Sequence, residues 1–433
     1  MALFVIIFSL RTFDHTQQRI DTTRETVYTL FMKTTQPVIG IVAEYNPFHN
    51  GHARHISRAK SILDAPVAVV LSSNFTQRGL PALVDKWTRT RMALSNGADL
   101  VLELPFFFAC NAAPEFAKGA VDTLAATGFV SHLAFGMENP TADTEAILAI
   151  LMQEPDAFKT RLKEKLASGQ SYPRAFAETL EQELPGAGVF LSHPNNSLAI
   201  AYMLHARRKR HSLIPMPIQR EGAAYHDMEM GPLASATAIR QALKSDPCRI
   251  AQAMPPSSFA LLREEEARGR ICRNADPIWP LLRAFLNALS PAEVQKFAGM
   301  DEGLEFLFLK HYVDACSYED FIGRCVCARY TRSRIRRQVV RLLAGVVREE
   351  ALAMTRSGAP YIRVLGGNDK GRSLLRSRAK NSSVPLITRL PAASGPQAKL
   401  SADMEFRASR LWEFLISNSD LRYEEKQRPI FVA

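Results

Sequence analysis

Cysteine is scarce and scattered. The six residues, Cys110, Cys248, Cys272, Cys316, Cys325 and Cys327, include no pair at C-x-x-C spacing. Neither a zinc ribbon nor a disulfide-stapled fold is indicated, and free thiols in a reducing compartment, the cytoplasm, are expected. Long apolar runs are also missing. MALFVIIFSL at the start is too short to span a bilayer. It has no basic flank and no clear small-residue cleavage site. No repeat or low-complexity tract occurs, and no membrane or obligate protein partner is evident. What is present is 433 residues, 47% hydrophobic and 22% charged, enough for two or three domains around a large core.

Lys and Arg number 54 against 43 Asp and Glu, a net charge of +11. That suits a polyanionic partner without requiring one. The excess is concentrated in RCVCARYTRSRIRRQVVRLLAGVVR, which holds Arg324, Arg329, Arg332, Arg334, Arg336, Arg337, Arg341 and Arg348 around Tyr330. Arginines interleaved with an aromatic suit phosphate contacts plus base stacking. A solvated basic face is the plainer alternative.

From residue 37 to about 245, short apolar runs alternate with helical patterns. Strands are predicted at Val38–Ala43, Val67–Leu71, Leu100–Leu104, His132–Phe135 and Ile214–Ile218. Such alternation implies a parallel sheet covered by helices, with ligands beyond the C-terminal strand ends. From residue 251 to 433 the texture becomes mostly helical and basic, and a second domain is expected there. Residues 1–35 are expected to be a poorly ordered extension, with Met32 as a natural beginning.

The first strand runs into EYNPFHNGHARH, residues 44–55. Asn46-Pro47 signals a turn, Asn50 suits a helix cap, and Gly51 permits close approach to the backbone. A helix N-terminus there offers unpaired N–H groups, and His49 and His52 can face the anion it attracts. Both histidines could equally be capping and packing residues. Other strand ends carry polar loops. Ser72, Ser73, Asn74, Thr76, Gln77, Arg78 and Lys86 follow the second, and could hold phosphates or a carboxylate. Glu103 could bind magnesium or ribose, or only anchor a turn. Gly136 ends the fourth strand, Asn195-Asn196 opens a helix, Arg220 follows the fifth strand, and SATAIR carries Arg240. Together these suit a nucleoside triphosphate at the top of a parallel sheet.

HNGH resembles the signature of HIGH-type nucleotidyltransferases, and SATAIR resembles their second phosphate motif. GIVAEYNPFHNGHARH, QRGLPALVDKWTRTRMAL, NGADLVLELPF, AFGMEN, PNNSLAIAY and SATAIR, in this order, are similar to the tRNA(Met) cytidine acetate ligase family. ARYTRSRIRR and PYIRVLGGNDKGRSLL extend the similarity to about residue 380. The resemblance implies a Rossmann-like α/β nucleotidyltransferase domain over 36–250 and a tRNA-binding domain over 251–433. It implies a carbon–nitrogen ligase that converts ATP to AMP and pyrophosphate, passes acetate through acetyl-adenylate, and acetylates the wobble cytidine of elongator tRNA(Met).

By motif match, ATP falls to Val42, Ala43, Glu44, Tyr45, Asn46, Pro47, Phe48, His49, Asn50, Gly51, His52, Ala53, Arg54, His55, Gly136, Asn195 and Arg220. His49, His52, Lys86 and Arg240 are the candidate catalytic groups, with Mg²⁺ accompanying the nucleotide and no protein ligand for it identified. Arg329, Arg332, Arg334, Arg336, Arg337 and Arg341 are the candidate RNA contacts. Two other readings are a small-molecule nucleotidyltransferase, which has no use for the arginine run, and a non-catalytic RNA-binding protein, which has no use for the histidine pair.

Overall fold

The computed structural model describes residues 36–220, 231–245 and 247–433. The expected N-terminal extension, and residues 221–227 of the PIQREGAAYHD loop, lie outside the described residues. The strands are β1 (Ile39–Ala43), β2 (Val67–Ser72), β3 (Leu100–Leu104), β4 (His132–Met137), β5 (Ile214–Gln219), β6 (Ile362–Gly367), β7 (Leu386–Ile387) and β8 (Ile430–Phe431). The helices that carry or support the site are α1 (Asn50–Ile62), α2 (Lys86–Leu94), α3 (Ala113–Ala126), α4 (Pro194–Arg208), α5 (Ala236–Ser245), α6 (Arg332–Leu343), α7 (Arg348–Ser357) and α8 (Pro396–Glu413).

The eight strands form one sheet, ordered β5-β4-β1-β2-β3-β6-β7, with β8 also on β6. β1 to β5 are parallel, as the apolar alternation predicts. Both faces are largely buried along β1 to β4, which explains why these strands read as continuous apolar runs, whereas the edge strand β5 alternates buried and exposed residues. Successive residues feed opposite cores: Val38, Ala68, Val70, Leu100 and Leu102 enter one, and Ile39, Ile41, Val67, Val69 and Val101 enter the other. From β1 the chain steps outward to β2 and β3. It then crosses back to place β4 on the far side of β1. Strand order therefore reverses between β1 and β4, and a crevice must open above that point.

The expected division near residue 250 does not divide the sheet. Helices fill most of the chain from Pro256 to Ser357, but β6 then pairs antiparallel with β3, Val101 opposite Gly366. The last residues return to the same sheet through β8, which pairs with β6.

Candidate active site

β1 ends at Ala43, and the next six residues turn the chain into α1. Tyr45 adopts a left-handed φ of 47° and the Asn46-Pro47 peptide is cis. A left-handed φ at a non-glycine residue persists only where its surroundings over-determine it. Here Leu83 N donates to Asn46 Oδ1 at 2.7 Å, and Arg240 donates to the Asn46 carbonyl. Arg89, fully buried, reaches the Glu44 carbonyl at 2.7 Å and those of Ser72 and Ser73 at 3.0 and 2.8 Å. One guanidinium thus ties the ends of β1 and β2 together.

The helix cap is His49, not the expected Asn50. His49 Nδ1 accepts from Gly51 N at 3.1 Å, and His52 Nδ1 accepts from His49 N at 3.2 Å. Asn50 instead donates to the carbonyls of Pro232 and Gln252. With both Nδ1 atoms accepting, each neutral ring carries its proton on Nε2. The rings stack at 3.7 Å, and His52 also packs on Tyr45 and Phe48. Burial, reinforced by Arg220 and Arg240, pushes His49 down to about 3. Burial holds His52 well below its ordinary value, with His49 and Arg220 adding to the effect. Burial and Arg220 bring His55 to about 4. All three are neutral donors at pH 7.

A cavity of about 300 Å³ opens above the strand-order reversal. It is lined by His49, Gly51, His52, Arg54 and His55 of the β1–α1 segment, with Ser57, Arg58 and Ser61 farther along α1. Gly136, Ile218, Gln219, Arg220, Leu233, Ala234 and Ser235 complete it. Gly136 leaves the room that Arg220 occupies, since a Cβ there would lie 2.9 Å from Arg220 Cγ. Arg220 Nη1 donates to Asn195 Oδ1 at 3.0 Å, while Asn195 Nδ2 donates to Glu138. Asn195 is thus a support for Arg220 and not a lining residue. Ser235 caps α5, accepting from Ala238 N at 3.1 Å. Arg240 stands behind the lining, on Asn46 and Thr237. Val42, Ala43, Glu44, Tyr45, Asn46, Pro47, Phe48, Asn50 and Ala53 likewise form the frame and not the wall.

Among the described residues, three arginines, three imidazoles and no carboxylate line the cavity. That donor set fits phosphate and offers no hard oxygen cage for Mg²⁺. Among the wall positions that sequence reasoning passed over, Ser57, Arg58 and Ser61 follow from the helical period that begins at Gly51 and His55, while Leu233 and Ala234 carried no signal. Arg89 and Glu138 had no local signal.

Lys86 is a correction. It is fully buried, bound to Glu405 at 2.7 Å, Glu424 at 3.1 Å and also Glu103, with Arg363 alongside. Carboxylates, not phosphates, compensate its charge. Glu103 is consumed by the same cluster. The Ser72–Gln77 loop turns away from the cavity too: Ser73 donates to Glu405 and Asn74 accepts from Lys86 N.

The arginine run is likewise less exposed than expected. Arg332 and Arg336 pair with Glu319, and Arg334 with Glu302. Arg337 donates to the Gln77 carbonyl at 3.0 Å, and Arg341 lies over the Phe107 ring. Tyr330 is buried, its hydroxyl on Glu302 O, so it cannot stack on a base. The run also touches the catalytic half. A Cβ on Gly79 would sit 2.4 Å from Arg337 N, and Gln77 N donates to Glu44 at 2.7 Å.

A family model described as HIGH nucleotidyl transferase matches residues 36–428. The tRNA(Met) cytidine acetate ligase of Acetivibrio thermocellus is 36% identical over 400 residues, covering 89% of this chain and 96% of that one. The Bacillus velezensis protein of the same name is 36% identical over 405 residues, covering 90% and 95%. The apo crystal structure of Thermotoga maritima TmcAL, 31% identical, superposes with a TM-score of 0.86 over 92% of this chain and 99% of that one. Its complex with alpha-thio ATP gives 0.83, with the same coverage of both chains. The chain belongs to the tRNA(Met) cytidine acetate ligase family of HIGH nucleotidyl transferases.

Proposed function

We propose that this protein is the ATP-dependent ligase that joins acetate to the wobble cytidine of elongator tRNA(Met). The observation that supports this most is the cavity itself: neutral imidazole donors and arginines at the strand-order reversal, with no carboxylate among the described residues of the wall. Acetate is an anion at pH 7, so its activation needs no base. One acetate oxygen bonds to the α-phosphorus, the bond from that phosphorus to the bridging oxygen breaks, and pyrophosphate leaves. Charge builds on the phosphoryl oxygens, and donors fixed in advance are the strongest means of stabilising it. His49 and His52 supply Nε2–H groups, and Arg54, Arg58 and Arg220 take the phosphate tail. Mg²⁺ bound to the nucleotide would neutralise phosphate charge, with no carboxylate among the described lining residues to hold it.

In the second step the cytidine N4 bonds to the acetyl carbon. The bond from that carbon to the adenylate oxygen breaks, AMP leaves, and N4 releases a proton. The amine is a weak nucleophile, so positioning must supply much of the rate. For the tRNA grip, Arg324 and Arg332, with side chains 40% and 48% exposed, are outward members of the arginine run, with half-buried Arg329 between them. Arg334 and Arg336 back them, while Arg337 and Arg341 hold the fold.

The test is to incubate the protein with ATP, labelled acetate and bulk tRNA, digest the tRNA, and identify the labelled nucleoside. Acetylcytidine from tRNA(Met) alone is expected. Acetate-dependent ATP–pyrophosphate exchange without labelled tRNA would reject the tRNA assignment and keep the adenylation.

A further inference from the structure

Two histidines that the ligase reaction does not use converge on one carboxylate. Asp122 Oδ1, on α3, lies 2.7 Å from His205 Nε2 and 2.9 Å from His211 Nε2. The geometry is held from several sides. His205 is in the last turn of α4. Arg210 then takes a left-handed φ of 55°, and His211 N returns to Ala206 O at 2.9 Å. This folds the chain back so that the second imidazole meets the first, ring centroids 6.0 Å apart. On the other side, Gly358 leaves room for Asp122: a Cβ there would lie 2.8 Å from Oδ2. Lys118, one turn earlier on α3, donates to the Thr355 carbonyl of α7.

A second acid lies on the same helix face. Glu115, two turns before Asp122, has a buried Oε2 with no hydrogen-bond partner among the described residues. Two carboxylates and two imidazoles therefore share this region with the Lys118 ammonium. Among the described residues, Asp122, His205 and His211 form the one group of three potential ligands whose donor atoms all lie within 4.8 Å of one another. All three are half-buried.

We propose that Asp122, His205 and His211 bind a divalent transition metal ion, with Zn²⁺ the best match. Two imidazole nitrogens and one carboxylate oxygen are a recurrent three-ligand set for this ion, with a water in the fourth position. Ligand bonds of about 2.0–2.2 Å at tetrahedral angles separate ligand atoms by about 3.3–3.6 Å, so the Asp122 oxygen must draw back by about half an ångström from each imidazole nitrogen. Each ring gives up its Nε2 proton and carries one on Nδ1 instead, so Asp122 stays ionised and no net proton is lost.

The site lies at the far end of the sheet from the cavity. His211 precedes the first residue of β5, whereas Gln219 and Arg220 end that strand at the cavity. His205 is ten residues along α4 from Asn195, about 15 Å. The ion would tie α3, the end of α4 and the entry to β5, and so brace from behind the two elements that position Arg220.

The test uses the full chain, stripped with a chelator and titrated with Co²⁺ and with Zn²⁺. One equivalent should bind at micromolar free metal, giving the visible bands of a four-coordinate Co²⁺ centre and a Zn²⁺-dependent rise in Tm. Asp122→Asn and His211→Gln keep side-chain size and should each weaken binding by about tenfold or more. His55→Gln should leave the affinity unchanged, which separates this site from the cavity histidines. Absence of 1:1 binding, or binding that survives both ligand substitutions, would overturn the proposal. X-ray absorption on the Zn²⁺-loaded wild-type protein needs no variant. It should count two imidazoles and no sulfur, and a sulfur ligand would place the metal elsewhere.

Discussion

His49 and His52 cap the same helix reciprocally, each imidazole accepting the backbone proton that leaves its own Nε2–H free to donate. Function and local stability are therefore fused in two side chains, and substitutions can pull them apart. His49→Asn keeps a side-chain cap acceptor and should hold Tm near wild type. His49→Ala should lose about 1 kcal/mol. Both should slow acetate-dependent ATP–pyrophosphate exchange about a hundredfold, as the loss of one preorganised donor commonly does. An exchange rate unchanged in His49→Asn would reduce His49 to a cap.

The low proton affinity of these rings gives a pH signature. His49 near 3 and His55 near 4, with His52 also depressed, lie below the unfolded value of about 6.5. As pH falls, the unfolded chain takes up protons first. Stability from these groups is thus complete above about pH 6.5 and declines toward pH 4, on the order of 1 kcal/mol per pH unit for each ring. Urea titrations across this range should show the slope, reduced in His49→Asn. Exchange activity should show no histidine titration between about pH 6 and 8.

Lys86→Met should destabilise severely without touching the cavity. It leaves Glu103 and Glu424 on Arg363 and takes from Glu405 its ammonium partner. Breaking a buried charge cluster by removing one partner typically costs roughly 3–5 kcal/mol. Chemical denaturation measures the loss. ATP affinity of the folded fraction should match wild type, and a selective defect in ATP binding would return Lys86 to the site.

Gly136→Ala is a graded probe of Arg220. The added carbon would meet Arg220 Cγ at 2.9 Å, and a flexible side chain can move aside. The expected result is an unchanged Tm with the ATP KM raised about tenfold, equivalent to about 1.4 kcal/mol. A change in Tm with KM constant would mean that Arg220 does not touch the substrate.

The arginine run divides by direction. Arg329→Ala with Arg332→Ala should reduce the slope of log K for tRNA against log salt by about 0.7–0.9 for each phosphate that is no longer neutralised. Arg337→Ala should loosen the 76–80 loop and lower Tm, because its partner is the Gln77 carbonyl. Filter binding at several salt concentrations, with melting curves, separates the two classes.

The parallel half of the sheet was legible because β1 to β4 are largely buried on both faces and carry apolar runs, while the edge strand β5 keeps one buried face. The histidine pair was legible because turn, cap and glycine fall within twelve residues. β6 was not: IRVLGG is short, ends in two glycines, and is defined by a partner about 260 residues away. Lys86 misled for the same reason. A lysine at a strand-end loop reads identically whether phosphate or a distant carboxylate neutralises it, and Glu405 lies 319 positions downstream. The arginine run was visible as composition, but side-chain direction depends on tertiary packing. Ile335, Val339 and Val340 seat α6 against the core, and this turns Arg337 and Arg341 inward.

The antiparallel β6 also constrains the order in which this protein can mature on the ribosome. β1 to β5 emerge early, yet β3 keeps an open edge until residue 367 is available, and Lys86 lacks two of its carboxylates until residues 405 and 424 have been made. A nascent chain halted between Ser235 and the sixth strand carries every side chain that lines the cavity and a Lys86 ammonium that is still short of counter-charge. Stability of the sheet that carries the cavity is therefore tied to the end of synthesis rather than to the appearance of the residues that line it.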